Sequence, residues 1–270
     1  MILFSRVRGA FRKITSREWA LLSLETVGIL AGILIAFELN EWAARRKETA
    51  KHRQLMERLF EEAENDVVFL RDTRNAIRQM VATEIEFAKR LNKGECPAES
   101  LWRATATVNM YPAFRAPRAV YQELMGAGGL SSIDDVRVRN ALTNFNTGLE
   151  WVVSQNDYFR MIRREPIPDE DPRIQVRYDP ALDEEKTTAT YDRQALCQDH
   201  GFRNRMAFAV RNHRAVLDWH DTVTEDAIWM CGVLGESLGR RCSPAYGGPL
   251  VGDDLKLLNE AIAKYRQAER

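Results

Sequence analysis

Residues 19–39 read WALLSLETVGILAGILIAFEL, and this stretch decides the architecture. From Val27 to Phe37 no side chain is polar, and between Ala20 and Phe37 the only charge is Glu25. About 20 predominantly apolar residues make roughly 30 Å of helix, the thickness of a bilayer's hydrocarbon layer. Trp19 and Trp42 flank the run, where amphipathic rings favour the headgroup layer. Basic residues precede it, as they would a secretory signal, but no A-x-A cleavage site follows. Asn40, Glu41 and Trp42 lead straight on into a helical pattern, so a retained transmembrane helix over residues 19–39 is expected.

Inside that span, Gly28 and Gly32 form G-x-x-x-G and Ala36 extends the small-residue row, a spacing that lets two helix backbones approach. Glu25 is an ionisable residue where insertion costs on the order of 3 kcal/mol. It lies six positions inside Trp19, shallow enough to snorkel to the interface; an ion or proton site, or a contact with a partner subunit, is the functional alternative.

The two flanks tie in positive charge. Arg6, Arg8, Arg12, Lys13 and Arg17 precede the span, and Arg45, Arg46, Lys47, Lys51 and Arg53 follow it. Long domains cross membranes largely regardless of charge, whereas short basic tails stay behind. The expectation is a cytoplasmic tail over 1–18, a bacterial inner-membrane span, and a periplasmic domain. Lys plus Arg and Asp plus Glu both number 39, so no basic excess points to nucleic acid. A charged fraction of 29% is too high for a multi-span protein and confines the membrane part to one helix.

Beyond the span, Met56, Phe60, Ala63, Val67, Leu70, Ile77, Val81, Ala88 and Leu91 recur at alternating steps of three and four, with Arg74 and Glu84 in the two missing places. No Gly or Pro interrupts residues 33–93, so the anchor is expected to continue as one long helix. Asn65 and Asp66 offer a place to fold back, without a turn residue that demands it. The sequence KGECP at 93–97 stops the helix, Gly as terminator and Pro as breaker. Residues 98–110 permit helix, and Tyr111-Pro112 and Ala116-Pro117 mark a loop. Tyr121 and Leu124 share one helical turn that Gly126, Gly128 and Gly129 close, with Leu130 and Ile133 plugging the joint to a helix capped by Asp134 or Asp135 and running to about residue 164.

The segment GILAGILIAFELNEW, followed by a charged helix, together with YQEL at 121–124 and Leu130, Ile133, Arg139 and Leu142 beyond it, resembles a family of uncharacterised bacterial single-pass membrane proteins, a domain of unknown function. The likeness covers about residues 17–70 and 110–160. It implies an anchored helical domain and carries no activity, ligand or catalytic residue.

Residues 165–200 hold Pro166, Pro168, Pro172 and Pro180 with Asp169, Glu170, Asp171, Asp183, Glu184 and Glu185, and read as a solvated loop excursion in which 174–178 alternates like a short edge strand. From 201 to 270 helices return to complete the bundle that residues 40–164 begin. One carries Met206, Val210, Leu217, Val223, Ile228 and Leu234; another starts at Asp253 or Asp254 and carries Leu255, Leu258, Ile262 and Tyr265. The expected fold class is all-α, one transmembrane helix continuing into a long helix plus a helical bundle.

Candidate chemistry is sparse. His213 and His220, seven apart on one helix face near Asp221 and Glu225, are about 10 Å apart along the axis, too far to share one ion unaided. Cys231 and Cys242, and Cys96 and Cys197, are candidate disulfides, with four free buried thiols as the equal alternative, and connectivity is not readable from spacing. No cofactor motif occurs. The first functional expectation is a non-enzymatic anchored protein that contacts lipid through one helix and acts as a homo-oligomer or as a subunit of an envelope complex, without nucleic acid. A periplasmic small-ligand sensor bundle signalling through a partner comes second, a metal or enzymatic domain using His213 and His220 third, and ion coupling through Glu25 fourth.

Overall fold

The computed structural model describes residues 16–112, 116–181 and 187–267; side chains are described from Ala20, leaving out Leu22 and Thr187. The basic tail (Arg6, Arg8, Arg12, Lys13), the side chains of Arg17 and Trp19, and the acidic Asp183, Glu184 and Glu185 lie outside these. The chain is mostly helical: α1 (Ser16–Asn92), α2 (Ala104–Thr107), α3 (Ala119–Gly126), α4 (Val136–Ile162), β1 (Ile174–Tyr178), β2 (Thr187–Tyr191), α5 (Arg193–Gln198), α6 (His200–Ser237) and α7 (Gly252–Gln267), with 3-10 turns at Glu99–Leu101 and Gly129–Ser132. Two compact units divide between Met56 and Glu57, inside α1.

In the first unit, every described side chain between residues 20 and 51 is exposed, including Leu24, Ile29, Leu34, Phe37 and Trp42. The most apolar 18-residue window of this helix has a mean hydropathy of 1.5 with none of it buried, so it is long and apolar enough to cross a membrane. Arg46 lies over the Trp42 ring at 4.9 Å, and Arg45 bonds Glu41 one turn back at 2.6 Å.

In the second unit the same helix changes character. Phe60, Ala63, Val67, Leu70, Ile77, Val81 and Leu91 are buried, the stripe that the three-four spacing predicts, and no fold-back occurs at Asn65 and Asp66. The helix stops where its sequence has Gly94, whose φ of +77° suits glycine alone, with Glu95 N–H closing on the Arg90 carbonyl at 3.0 Å.

The short helix α3 is held by α1 from beneath. Glu62 accepts from the backbone N–H groups of Val120 and Tyr121 at 2.8 and 2.9 Å, satisfying donors that no α3 side chain caps. Arg58 meets Glu123 in a two-bond pair of 3.1 and 2.7 Å, and Leu124 is fully buried. Arg139 donates to the Ile133 carbonyl, fixing the joint. Asp135 caps α4 by accepting from Arg137 N–H at 2.8 Å. Tyr265 from α7 donates its hydroxyl to the same carboxylate at 2.6 Å, while the Arg137 guanidinium stacks 3.8 Å from the Tyr265 ring.

Helix α6 packs between α4 and α7, and two of its glycines allow its close approach to α7 and to Phe60 of α1. A Cβ on Gly232 would sit 2.9 Å from Leu258 Cδ1, and one on Gly235 would sit 2.8 Å from the Phe60 ring and 3.0 Å from the Arg240 carbonyl. Cys231 and Cys242 are joined by a disulfide that pins the turn after α6, and Cys96 and Cys197 by one that ties the end of α1 to α5. Beneath the latter, Phe87, Trp102 and Phe202 pack ring against ring, with centroids 5.4 Å apart for Phe87–Trp102 and 5.9 Å for Trp102–Phe202.

The 165–200 stretch holds more structure than its prolines and acids suggest. β1 pairs antiparallel with β2, Ile174 opposite Tyr191, and these two residues pack on the aromatic cluster. The TTATY strand offers only Ala189 and Tyr191 as alternating apolar residues, too few for period-two patterning to mark it. Helices α5 and α6 start on Asp192 and Asp199, which accept from Ala195 N–H (3.1 Å) and Gly201 N–H (2.7 Å).

A loop of 101 residues separates Cys96 from Cys197, against 11 for the other pair. Loop-closure entropy scales with the logarithm of that length, so removing Cys96–Cys197 by paired Ser substitution is expected to cost about 4–5 kcal/mol and removing Cys231–Cys242 about 2–3 kcal/mol. Denaturant midpoints of the two double variants, measured on the second unit's transition, check the order; the reverse order would refute the entropic account.

Candidate functional site

The two polar interruptions of the α1 stripe are buried and partnered. Arg74 reaches α7, donating to both carboxylate oxygens of Asp254 at 3.2 and 2.9 Å. Its neighbour Arg78 bonds Asp221 on α6 at 2.6 Å. Ten residues on, Glu84 is completely buried; one oxygen lies 2.8 Å from His213 Nδ1 and the other accepts from Thr107 Oγ1 at 2.9 Å. Tyr111 closes this pocket with its ring edge-on to His213 at 5.7 Å. Burial, then the Glu84 and Glu165 charges, pushes the Tyr111 hydroxyl up to about 12.

His220, two turns along α6 and equally buried, has Nε2 3.3 Å from the Asn156 amide nitrogen on α4. An amide can only donate there, so Nε2 is the acceptor and the ring is neutral. Burial, then the nearby His213, lowers His220 to about 4, in keeping with that assignment. The two histidines thus point to different partners on different helices. Among the described residues, no group of three or more His, Cys, Asp or Glu side chains could hold a metal ion. His213 Nε2 has no hydrogen-bond partner among the described residues.

A third polar cluster lies around Asp66, 3% exposed and one turn from Glu62. Burial, then the Glu62 charge, pushes the Asp66 carboxyl up to about 8 against the pull of Arg118. Arg118 is held by Asn146 at 2.8 Å and by Glu150 at 3.1 Å. Sequence spacing marks position 66 only as polar; its burial comes from Arg118 and α4 arriving from far along the chain.

Beside the Glu84–His213 pair the surface opens into a hollow of about 610 Å³, lined among others by Asn109, Tyr111, Arg164, Arg205, Phe208 and Asn212. A second hollow of about 470 Å³ lies across Asn109 and Tyr111, with Met80, Arg160 and Glu165 in its wall. The first sits at the junction of the α4 end, the Asn109–Tyr111 loop and the start of α6; the second lies between the same loop, the α4 end and Met80 of α1. Sequence patterning misses this junction, because its residues come from three distant segments.

The other candidates stand apart. Nothing lies within 4 Å of where a Cβ would stand on Gly28 or Gly32, and Ala36 and Glu25 are exposed with them. Compared with protein-family models, curated proteins and solved structures, the chain matches none.

Two consequences follow from the buried groups. Replacing Glu84 by Ala leaves the buried His213 and the half-buried Thr107 without their partner and is expected to destabilise the domain by about 3 kcal/mol, read as a lower urea midpoint at unchanged slope. For Asp66 the folded protein holds a proton that the unfolded chain releases near pH 4. Stability from this residue is therefore present at low pH and lost as pH rises from about 4 to about 8. Asp66→Asn is expected to raise the melting temperature at both pH 5 and pH 8.5, and several-fold more at pH 8.5. An equal shift at both values would show that Asp66 is not the proton holder.

Proposed function

We propose that this chain is a single-pass, membrane-anchored helical protein of the bacterial envelope that works by association and not by catalysis. The observation that carries this reading is the contrast along α1. Over residues 20–51 its described side chains are all exposed and its 27–37 stretch is wholly apolar, whereas beyond Met56 its stripe is buried core. An apolar helix face of that size needs a covering, and a bilayer of matching thickness supplies one. The row Gly28, Gly32 and Ala36 then offers a close seam to a second copy of the helix or to a partner's span.

Two disulfides involving all four cysteines support placing the large domain on the oxidising, periplasmic side, because thiols in the cytoplasm are kept reduced. Glu25 fits a shallow carboxylate that snorkels to the headgroups.

Two measurements test the reading. In intact spheroplasts, a membrane-impermeant maleimide is expected to label the cysteines only after reduction; labelling that requires lysis would put the domain in the cytoplasm. Cross-linking in membranes is expected to fall about tenfold when Gly28 and Gly32 are both changed to Leu, since bulky side chains hold the backbones apart. An unchanged yield would remove the span as the seam.

A further inference from the structure

From the 610 Å³ hollow between the α4 end, the Asn109–Tyr111 loop and the first turns of α6, we infer a binding site for a small organic anion with an apolar body. Three arginines line it, Arg163, Arg164 and Arg205, and none of the lining residues is acidic. Two of the three have carboxylate partners. Arg163 lies 3.5 Å from Glu165, and Arg205 lies 4.0 Å from Asp199, a carboxylate already taken by Arg173 at 2.9 Å. Arg173 in turn holds Asp171 at 2.6 Å. Of the three arginines that line the hollow, Arg164 alone has no carboxylate partner among the described residues.

The walls complete the recognition. Phe208 is 61% exposed and Ile162 is 44% exposed, so both turn apolar surface to solvent beside the guanidinium groups; Ala209 and the Tyr111 ring form the floor. Asn204 and Asn212 add side-chain amides to the lining. The volume falls within the range of small-molecule sites, and a few convergent polar groups over apolar walls are their usual composition. The occupant that satisfies both halves carries one carboxylate or phosphate head toward Arg163 and Arg164, and an aromatic or branched body against Phe208 and Ile162. A neutral apolar molecule would leave the charge uncompensated, and a bare inorganic anion would leave the apolar walls wet. This site lies wholly within the second unit and does not depend on how the first is embedded.

The test uses the full chain in nanodiscs of zwitterionic lipid, with empty discs as the blank. The probe is 2-naphthoate, read by its fluorescence, with neutral 2-naphthol as the isostere. Saturable binding of naphthoate above the blank is expected, about tenfold tighter than naphthol, and about tenfold weaker in Arg163→Gln/Arg164→Gln, one charge-assisted contact's worth. Arg164→Gln alone, an exposed change that breaks no ion pair seen here, is expected to move in the same direction and guards against misfolding of the double variant. Phe208→Ser is expected to weaken naphthoate and leave inorganic phosphate competition unchanged. No saturable binding up to millimolar probe, equal binding of naphthoate and naphthol, or affinity unmoved by Arg164→Gln would each overturn the assignment. Displacement of naphthoate by equimolar phosphate would overturn its apolar half.

Discussion

One face of one helix organises the second unit. The buried stripe of α1 from Leu59 to Leu91 is the surface on which the chain's later segments are seated, and its few polar members choose the seats. Glu62 holds the N-terminus of α3, Arg74 holds Asp254 at the start of α7, and Glu84 holds His213 in the middle of α6. Apolar burial supplies most of the attraction but little direction, since any greasy face will do. A buried charge left without its partner costs several kcal/mol, so each of these residues admits one arrangement of its helix and penalises the rest.

The same arrangement explains why the core histidines are poor chemistry and good architecture. His213 and His220 share a helix face but are bonded to different neighbours, Glu84 on α1 and Asn156 on α4. Each ring nitrogen in those bonds is committed to registering two helices. Reactive groups converge on a common point; these diverge along the bundle. The surface beside them is different, because three segments end there together and leave exposed guanidinium groups over exposed apolar side chains.

Length and continuity are what set α1 apart. Its first stretch is exposed and long and apolar enough to cross a membrane, its last buries a stripe in the second unit, and no Gly or Pro separates them between residues 33 and 93. One helix thus carries two patterns, apolar all round over residues 27–37 and apolar on one stripe beyond Met56.

Much of this was legible in the residues. The apolar run at 19–39, the three-four stripe, the stop at Gly94 and the caps at Asp135 depend on neighbours within a few positions, and local periodicity and capping chemistry read such features directly. What the sequence could not yield was pairing across distance. That Thr187–Tyr191 would find Ile174–Tyr178, that Arg74 and Glu84 would be buried ion-pair and hydrogen-bond anchors rather than solvated breaks, and that Arg163, Arg164 and Arg205 would ring one hollow all depend on which segments fold together. By itself the sequence determined an apolar helix leading into a helical bundle, because backbone hydrogen bonding and burial period are local. Only the tertiary structure decided which polar residues lose their water and to whom they are then bound, because desolvation is set by every element that packs over a site.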